Sequence, residues 1–179
     1  HLSAQGITFT LSGRERPLPM DLIPRVVTAS EWRVVSEGVA QRIRALEAFL
    51  ADVYDRGDIM RDGVVPKSLV TSSSHYHRQA HGIVPANGVR IHVAGVDLVR
   101  DEEGTFHVLE DNLRCPSGVS YVLENRRTLA HVAPEVFTGY RVAPVTEYPE
   151  RLYRALAAAA PRDVHDPTVV VLTPGVYNS

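Results

Sequence analysis

The sequence has very few of the residues and segments that mark secreted and membrane proteins. Cysteine occurs once, at Cys115, so no internal disulfide framework exists and a reducing compartment fits the chain best. No apolar run approaches the roughly 20 residues needed to cross a bilayer. A charged and then apolar signal segment is also absent from the amino-terminal residues. We therefore predict a cytoplasmic protein without a membrane partner.

Lysine is also scarce, and the sequence has no excess of positive charge. The 19 lysine and arginine residues face 21 acidic residues, which gives a net charge of −2, and Lys67 is the only lysine. Proteins that bind nucleic acid usually carry a basic patch, so we expect no nucleic-acid partner. With 44% hydrophobic and 22% charged residues, the composition is typical of a globular chain with one hydrophobic core or slightly more.

What the sequence does contain is a hairpin pattern in its middle. An apolar run over 91–99 leads into an acidic turn at 101–104, and a second apolar run follows at 105–109. β-Branched and aromatic residues on both sides of a turn that ends in glycine predict an antiparallel β-hairpin.

The hairpin would gather polar side chains on one face. A four-residue loop places Asp97 opposite Val108, and residues that are opposed, or two apart on one strand, share a face. Asp97, Glu110 and Asn112 then project from the same side. Two carboxylates and an amide are hard oxygen ligands of the kind that Mg²⁺ prefers, with water and substrate phosphate as its other ligands. The pattern predicts a magnesium–nucleotide site; the alternative is a solvated acidic face, since exposed carboxylates are the rule.

Groups suited to anions follow directly. Arg114 offers a permanently charged fork to a phosphate or carboxylate. Ser117 and Gly118 can present a hydroxyl and unobstructed backbone N–H groups. A helix predicted over 119–131 would begin beside them, and a helix amino terminus favours phosphate. Phosphoryl transfer depends mainly on positioning and charge neutralisation, so this run favours that chemistry.

At this point the sequence resembles a known family, the circularly permuted ATP-grasp proteins, which are related to the glutathionylspermidine synthetase type of ligase. The resemblance extends from roughly Gly6 to the last residue. The blocks that carry it are Asp21-Leu-Ile-Pro-Arg25, Gly95-Val-Asp-Leu-Val-Arg100, Leu109-Glu-Asp-Asn-Leu-Arg114, Pro116-Ser-Gly-Val-Ser-Tyr121, Leu123-Glu-Asn-Arg126 and residues 171–179.

The resemblance implies a fold and a set of site residues. The fold would be α/β or α+β, part of a permuted ATP-grasp fold with a mixed or antiparallel sheet and packed helices. The cofactors would be ATP and Mg²⁺, with Asp97, Glu110 and Asn112 as metal ligands and Arg114 as a catalytic residue. The nucleotide- or phosphate-binding residues that it implies are Ser117, Gly118, Ser120, Asn125 and Arg126.

For the full-length protein, the resemblance implies ATP-dependent joining of a carboxylate to an amine through an acylphosphate. The substrates would be small-molecule or peptide carboxylates and amines. The magnesium hairpin comes early here, and the lysines that hold ATP in other ATP-grasp proteins are missing. We therefore expect an amino-terminal portion of a longer protein, inactive by itself. The alternatives are a non-catalytic binding or scaffold domain that acts with a partner protein, and a purely structural domain.

The flanking sequence predicts a frame of helices and strands. A long helix begins at Thr28, which forms a capping box with Glu31, and ends near Gly57. One face of this helix is apolar, and the other carries charged residues that include Arg42 and Glu47.

Two domains are expected. Residues 1–145 form the magnesium- and phosphate-binding portion, and residues 146–179 begin a following α/β unit. Within this frame, strands are predicted at 140–145 and 168–172, and a helix at 150–160.

Three further residue groups admit two interpretations each. Cys115 could be a nucleophile, although a small half-buried residue is the commoner case. His77 and His81 have the spacing of zinc ligands on a helix, but without the acidic residue of that motif we favour surface histidines. Arg90 could reach a phosphate or be a solvated residue at the end of a strand.

Overall fold

A computed structural model describes residues 6–21 and 23–173 and shows helices with small antiparallel sheets. The strands are β1 (Thr8–Leu11), β2 (Arg14–Pro17), β3 (Gly95–Arg100) and β4 (Phe106–Asn112). The helices are α1 (Ala29–Val53), α2 (Asp58–Arg61), α3 (Lys67–Thr71), α4 (Val119–Val132), α5 (Pro134–Thr138) and α6 (Tyr148–Ala157), with 3₁₀ turns at Arg78–Ala80 and Ala86–Gly88. The α+β class is confirmed.

The chain divides into two compact units. The hairpin unit comprises Val27–Pro116 and Leu152–Pro167, and the remaining described residues form the α4 unit. The predicted boundary between residues 145 and 146 separates parts of the chain by their expected function rather than by their contacts. It stays a prediction.

The long helix α1 begins as the sequence predicts. Thr28 is its N-cap, and the Thr28 Oγ1 atom accepts a hydrogen bond from the backbone N–H of Glu31 at 3.3 Å. In return, Glu31 Oε2 accepts from the backbone N–H of Thr28 at 2.7 Å. This capping box satisfies donors that the first turn of a helix leaves free.

The predicted end of α1 was wrong. The C-cap is Tyr54, and Gly57 lies beyond it with φ 64°, as the N-cap of α2. The helix ends early because the backbone N–H groups of Asp55 and Gly57 both donate to the carbonyl of Asp52, in place of the regular i→i−4 bonds. Glycine adopts this left-handed conformation without a steric penalty, so it serves the turn rather than the helix end.

The apolar core of the hairpin unit is small. Val35 and Val53 from α1 are buried, as is Ile91 from the segment that leads into β3. Trp32, which begins the predicted apolar stripe, is 61% exposed. Only part of the stripe is therefore covered by the described residues.

β3 and β4 form the expected antiparallel hairpin, but with a different register. Asp97 pairs with Glu110, whereas Leu98 pairs with Val108. Leu109 is therefore an extra residue on β4, a β-bulge. The predicted pairing of Asp97 with Val108 was wrong by two residues. The loop is one residue longer than assumed, and the bulge shifts the register by one residue more.

The carboxyl-terminal predictions were right for the helices and wrong for the strands. α4 and α6 occupy the positions predicted for helices. Residues 140–145 and 168–172 form no regular strand, and Val170 and Leu172 are 79% and 97% exposed. A strand needs a hydrogen-bonded neighbour, and the described residues supply none there.

None of the helices in the described ranges combines the length and apolarity that a bilayer crossing requires.

Candidate metal centre

The bulge in β4 decides which side chains face Asp97. If the register between the turn and the bulge continued unchanged, Leu109 would lie opposite Asp97. The extra residue instead moves Glu110 into that position and brings Asn112 opposite Gly95. A one-residue slip sends every side chain to the other face of a strand, so without the bulge Glu110 and Asn112 would point away from Asp97.

The three side chains meet on the exposed face of the hairpin. Asn112 Nδ2 donates to Asp97 Oδ2 at 3.2 Å and to Glu110 Oε1 at 3.0 Å. Like charges directly opposite across a strand pair are destabilising, and the amide donors offset part of that repulsion. Two carboxylates thus converge on a single polar atom.

This donor set suits a hard divalent cation. Asp97 and Glu110 supply anionic oxygens, and a half-turn of the Asn112 amide exchanges Nδ2 for Oδ1, which gives a third oxygen on the same side. Mg²⁺ favours such oxygen ligands and keeps several waters, which the solvent-facing position allows. The described residues contain no group of three or more His, Cys, Asp or Glu side chains that could hold a metal ion, and this candidate site has two such residues, with the Asn112 amide as the third ligand.

Close packing at Gly95 supports the base of the hairpin. A Cβ atom at this position would lie 2.8 Å from Pro116 Cβ, a distance that real side chains do not show. Glycine therefore lets the loop after β4 fold back against the start of β3. Gly95 pairs with Asn112, so the contact lies at the end of the hairpin that carries the candidate metal ligands.

Side chains of α1 hold this hairpin, and sequence reasoning missed them. Glu47 accepts the backbone N–H of Ile91 at 2.9 Å and that of Arg90 at 2.9 Å. The Arg90 guanidinium lies 3.6 Å from the same carboxylate and is 16% exposed, so Arg90 is not a solvated residue, and its contact with a phosphate stays a prediction. Arg100 donates to Glu31 at 2.8 Å near the turn.

The strongest of these links joins Arg42 to Asp111. Arg42 Nε lies 2.8 Å from Asp111 Oδ1, and Arg42 Nη2 lies 2.7 Å from Asp111 Oδ2. These hydrogen bonds lower the pKa of the Asp111 carboxyl and raise that of Arg42. The partners are 69 residues apart, so no spacing pattern along the chain signals the pair.

The residues after β4 are open to solvent. Arg114 is exposed, and no hydrogen bond or ion pair within the described part of the chain engages its guanidinium. Cys115 is exposed too, so the expectation of a half-buried residue was wrong. A guanidinium fork without a partner among the described residues, beside the candidate metal-binding hairpin, is available to an anion.

The predicted phosphate loop lies at the start of α4, in the α4 unit. Gly118 is the N-cap and has no side-chain capping bond. Ser117 and Ser120 are exposed, and Ser120 Oγ donates to the carbonyl of Ser117 at 2.9 Å. The Ser117 hydroxyl has no hydrogen bond to other described residues. Their nucleotide role stays a prediction.

Two more predicted nucleotide ligands lie further along α4. Arg126 Nη1 donates to the carbonyl of Ala143 at 2.8 Å, and its guanidinium lies 5.8 Å from the centre of the Phe137 ring. The Arg126 side chain therefore tethers the segment that follows α5. Asn125 Oδ1 is buried and has no hydrogen-bond partner among the described residues.

The histidines form no zinc site in the described residues. His77 and His81 flank the 3₁₀ turn Arg78–Ala80 rather than sharing an α-helical face, and both are exposed. The backbone N–H of His77 donates to the Tyr54 hydroxyl at 3.2 Å. The geometry agrees with surface histidines.

Comparisons with known proteins cover most of the chain. An uncharacterized protein of Mycobacterium tuberculosis is 62% identical over 175 residues, which are 98% of this chain and 32% of that protein. One from Synechocystis sp. is 47% identical over 178 residues, 97% of this chain and 37% of that protein. A Frankia casuarinae protein named "Putative glutamate--cysteine ligase 2-2" is 42% identical over 174 residues, 96% of this chain and 20% of that protein.

The chain thus spans between 20% and 37% of the length of these relatives. The family model described as "A circularly permuted ATPgrasp" matches residues 24–179. This range includes α1, the β3–β4 hairpin and α4. The chain belongs to the circularly permuted ATP-grasp family.

Proposed function

We propose that the full-length protein is an ATP-dependent ligase that joins a carboxylate to an amine through an acylphosphate. Within it, the β3–β4 hairpin provides the magnesium ligands. The observation that carries the proposal is the convergence of Asp97 and Glu110 on Asn112, at 3.2 and 3.0 Å. Family membership and the ligase name of the Frankia casuarinae relative support it.

Asp97, Glu110 and Asn112 would hold Mg²⁺ through side-chain oxygens. Mg²⁺ bound there would neutralise charge on the ATP phosphates during phosphoryl transfer. The bulge and the α1 contacts keep the two carboxylates in place before a ligand arrives. Such preorganisation is usually the largest electrostatic contribution to catalysis.

Arg114 would act as the catalytic guanidinium. Its charge is permanent, and its side chain is exposed on the loop that leaves β4. A planar fork suits a phosphate or an acylphosphate, whose negative charge it would stabilise. We also retain Ser117, Gly118 and Ser120 as phosphate-binding candidates and the α4 residues Asn125 and Arg126 as nucleotide-binding candidates.

The substrates would be a small-molecule or peptide carboxylate and an amine. Cys115 has no role in this scheme, since an acylphosphate needs no thiol nucleophile.

The test is ADP release by the full-length protein with Mg²⁺, ATP and panels of carboxylates and amines. Asp97→Ala and Glu110→Ala should lower turnover about 10²–10³-fold, the usual effect of removing one preorganised electrostatic contact. Glu102→Ala is the matched control, because Glu102 is an exposed carboxylate in the turn of the same hairpin. Full activity in Asp97→Ala would refute the magnesium assignment.

A non-catalytic binding domain is the alternative. The many exposed apolar side chains, Trp32 and Val34 of α1 among them, favour a surface that another polypeptide covers. A ligand that binds the folded state must raise the melting temperature. If Mg-ATP leaves the melting temperature of the full-length protein unchanged, this alternative replaces the ligase proposal.

A further inference from the structure

We infer that Arg42 is a positioning residue for the candidate metal centre and that it acts through Asp111. The inference rests on the proposed function, because it concerns how the hairpin presents its magnesium ligands. Arg42 lies on α1. Among the described residues, it makes no hydrogen bond to Asp97, Glu110 or Asn112.

The contact between Arg42 and Asp111, called the clamp below, is a bidentate ion pair. The Arg42 guanidinium donates to both Asp111 oxygens, with Nε at 2.8 Å from Oδ1 and Nη2 at 2.7 Å from Oδ2. A two-point contact between planar groups fixes orientation as well as distance. The Asp111 side chain is only 15% exposed, so little water competes for it, whereas Arg42 is 44% exposed.

Strand geometry links this clamp to the ligands. Asp111 stands between Glu110 and Asn112, and successive side chains on a strand point to opposite faces. A rotation of β4 about its own axis would therefore move Glu110 and Asn112 away from Asp97. Holding Asp111 against α1 opposes that rotation from the reverse side of the strand.

The Arg42–Asp111 contact lies next to the β-bulge, where the hydrogen-bonded ladder of the hairpin is interrupted. The bulge at Leu109 interrupts the ladder next to Glu110, and a bulge increases local twist. Within the described part of the chain, β3 and β4 form a sheet of two strands, and a two-stranded hairpin is marginally stable by itself. Arg42 thus supplies, from another element, the restraint that the ladder loses beside the metal ligands.

Other contacts between α1 and the hairpin segment lie farther from the ligands. Glu47 binds the backbone before β3, and Glu31 binds Arg100 near the turn. Arg44, two residues after Arg42, is exposed and makes no hydrogen bond or ion pair with the described residues. Arg44 is therefore a matched control with the same charge on the same helix.

The experiment measures the dissociation constant for Mn²⁺, a paramagnetic substitute for Mg²⁺, on the full-length protein with ATP. Arg42→Ala should weaken binding about 10-fold, the lower end of the loss seen when groups that orient metal ligands are removed. Arg42→Lys should recover part of the affinity, because an ammonium keeps the charge but not the two-point contact. Arg44→Ala should bind as the wild type does.

A second pair of variants separates positioning from folding. Asp111→Asn keeps the side-chain volume, and it should also weaken Mn²⁺ binding in a protein that still melts cooperatively. The exchange Arg42→Asp with Asp111→Arg should restore affinity relative to either single change. A role in stability alone predicts lower melting temperatures with an unchanged Mn²⁺ dissociation constant for the folded protein.

Two results would overturn the inference and are distinguishable. If Asp97→Ala loses Mn²⁺ affinity while Arg42→Ala and Asp111→Asn retain it, the metal centre stands and the positioning role is wrong. If the wild-type protein binds no Mn²⁺ with ATP, or Asp97→Ala binds equally well, the proposed metal centre fails and the positioning role fails with it.

Discussion

Replacing Gly95 with alanine tests whether the close approach of two chain segments supports the end of the hairpin that carries the candidate metal ligands. The new Cβ atom would lie 2.8 Å from Pro116 Cβ, and ordinary contacts begin at 3.4 Å, so one of the groups must move by about 0.6 Å. Pro116 is a rigid ring and Gly95 is held in a strand pair with Asn112, so neither group moves easily.

Overpacking of this kind costs about 2 kcal/mol. For a chain of 179 residues, that corresponds to a fall in melting temperature of about 4–8 °C, measured by calorimetry or circular dichroism. Because the strain lies beside Asn112, we also expect Mg²⁺ to stabilise Gly95→Ala less than it stabilises the wild type.

Gly38→Ala is the control for this experiment. Gly38 is in the middle of α1, and a Cβ there meets nothing within 4 Å. Alanine in a helix interior is favoured over glycine by about 0.5–1 kcal/mol, so Gly38→Ala should raise the melting temperature. If Gly95→Ala is as stable as the wild type while Gly38→Ala behaves as expected, the reasoning about the Pro116 contact is refuted.

Two further predictions concern the ends of local structures. Thr28→Ala removes the N-cap of α1 and should lower the free energy of unfolding by about 1 kcal/mol in urea denaturation, whereas Thr28→Ser should retain most of it. Hydrogen bonding from His107 lowers the pKa of the Asp101 carboxyl in the folded state. The stability that this carboxyl contributes is therefore complete above about pH 4 and is lost as the pH falls through its folded-state pKa. Asp101→Asn should flatten that part of the stability profile, and Glu102→Gln should not.

The sequence alone was enough for features whose cause is local. The capping box of Thr28 and Glu31 involves residues three apart, and the start of α1 follows from it. The hairpin and α4 also follow from short patterns of apolar and turn residues. The resemblance to permuted ATP-grasp proteins was carried by contiguous blocks, and the family is confirmed.

Other features depended on which elements meet in space. Extended segments with strand-like sequences, such as 168–172, form no strand because no neighbour in the described residues pairs with them. The bulge at Leu109 changed the partner of Asp97, although the common face of Asp97, Glu110 and Asn112 had been expected from the sequence. The observed partner of Asp97 is two residues from the predicted one, and a shift of two residues keeps side chains on the same face of a strand. The expected common face is therefore correct although the predicted pairing was wrong.

The sequence by itself determined the local helices, the hairpin and the identity of the candidate metal ligands, because their signals lie within a few residues of one another. Only the tertiary structure showed that Arg42 holds Asp111 and that Glu47 binds the backbone before β3. In the sequence, both residues belong to the charged face of an amphipathic helix. Whether such a face meets water or a partner depends on the packing of distant segments, which no local pattern records.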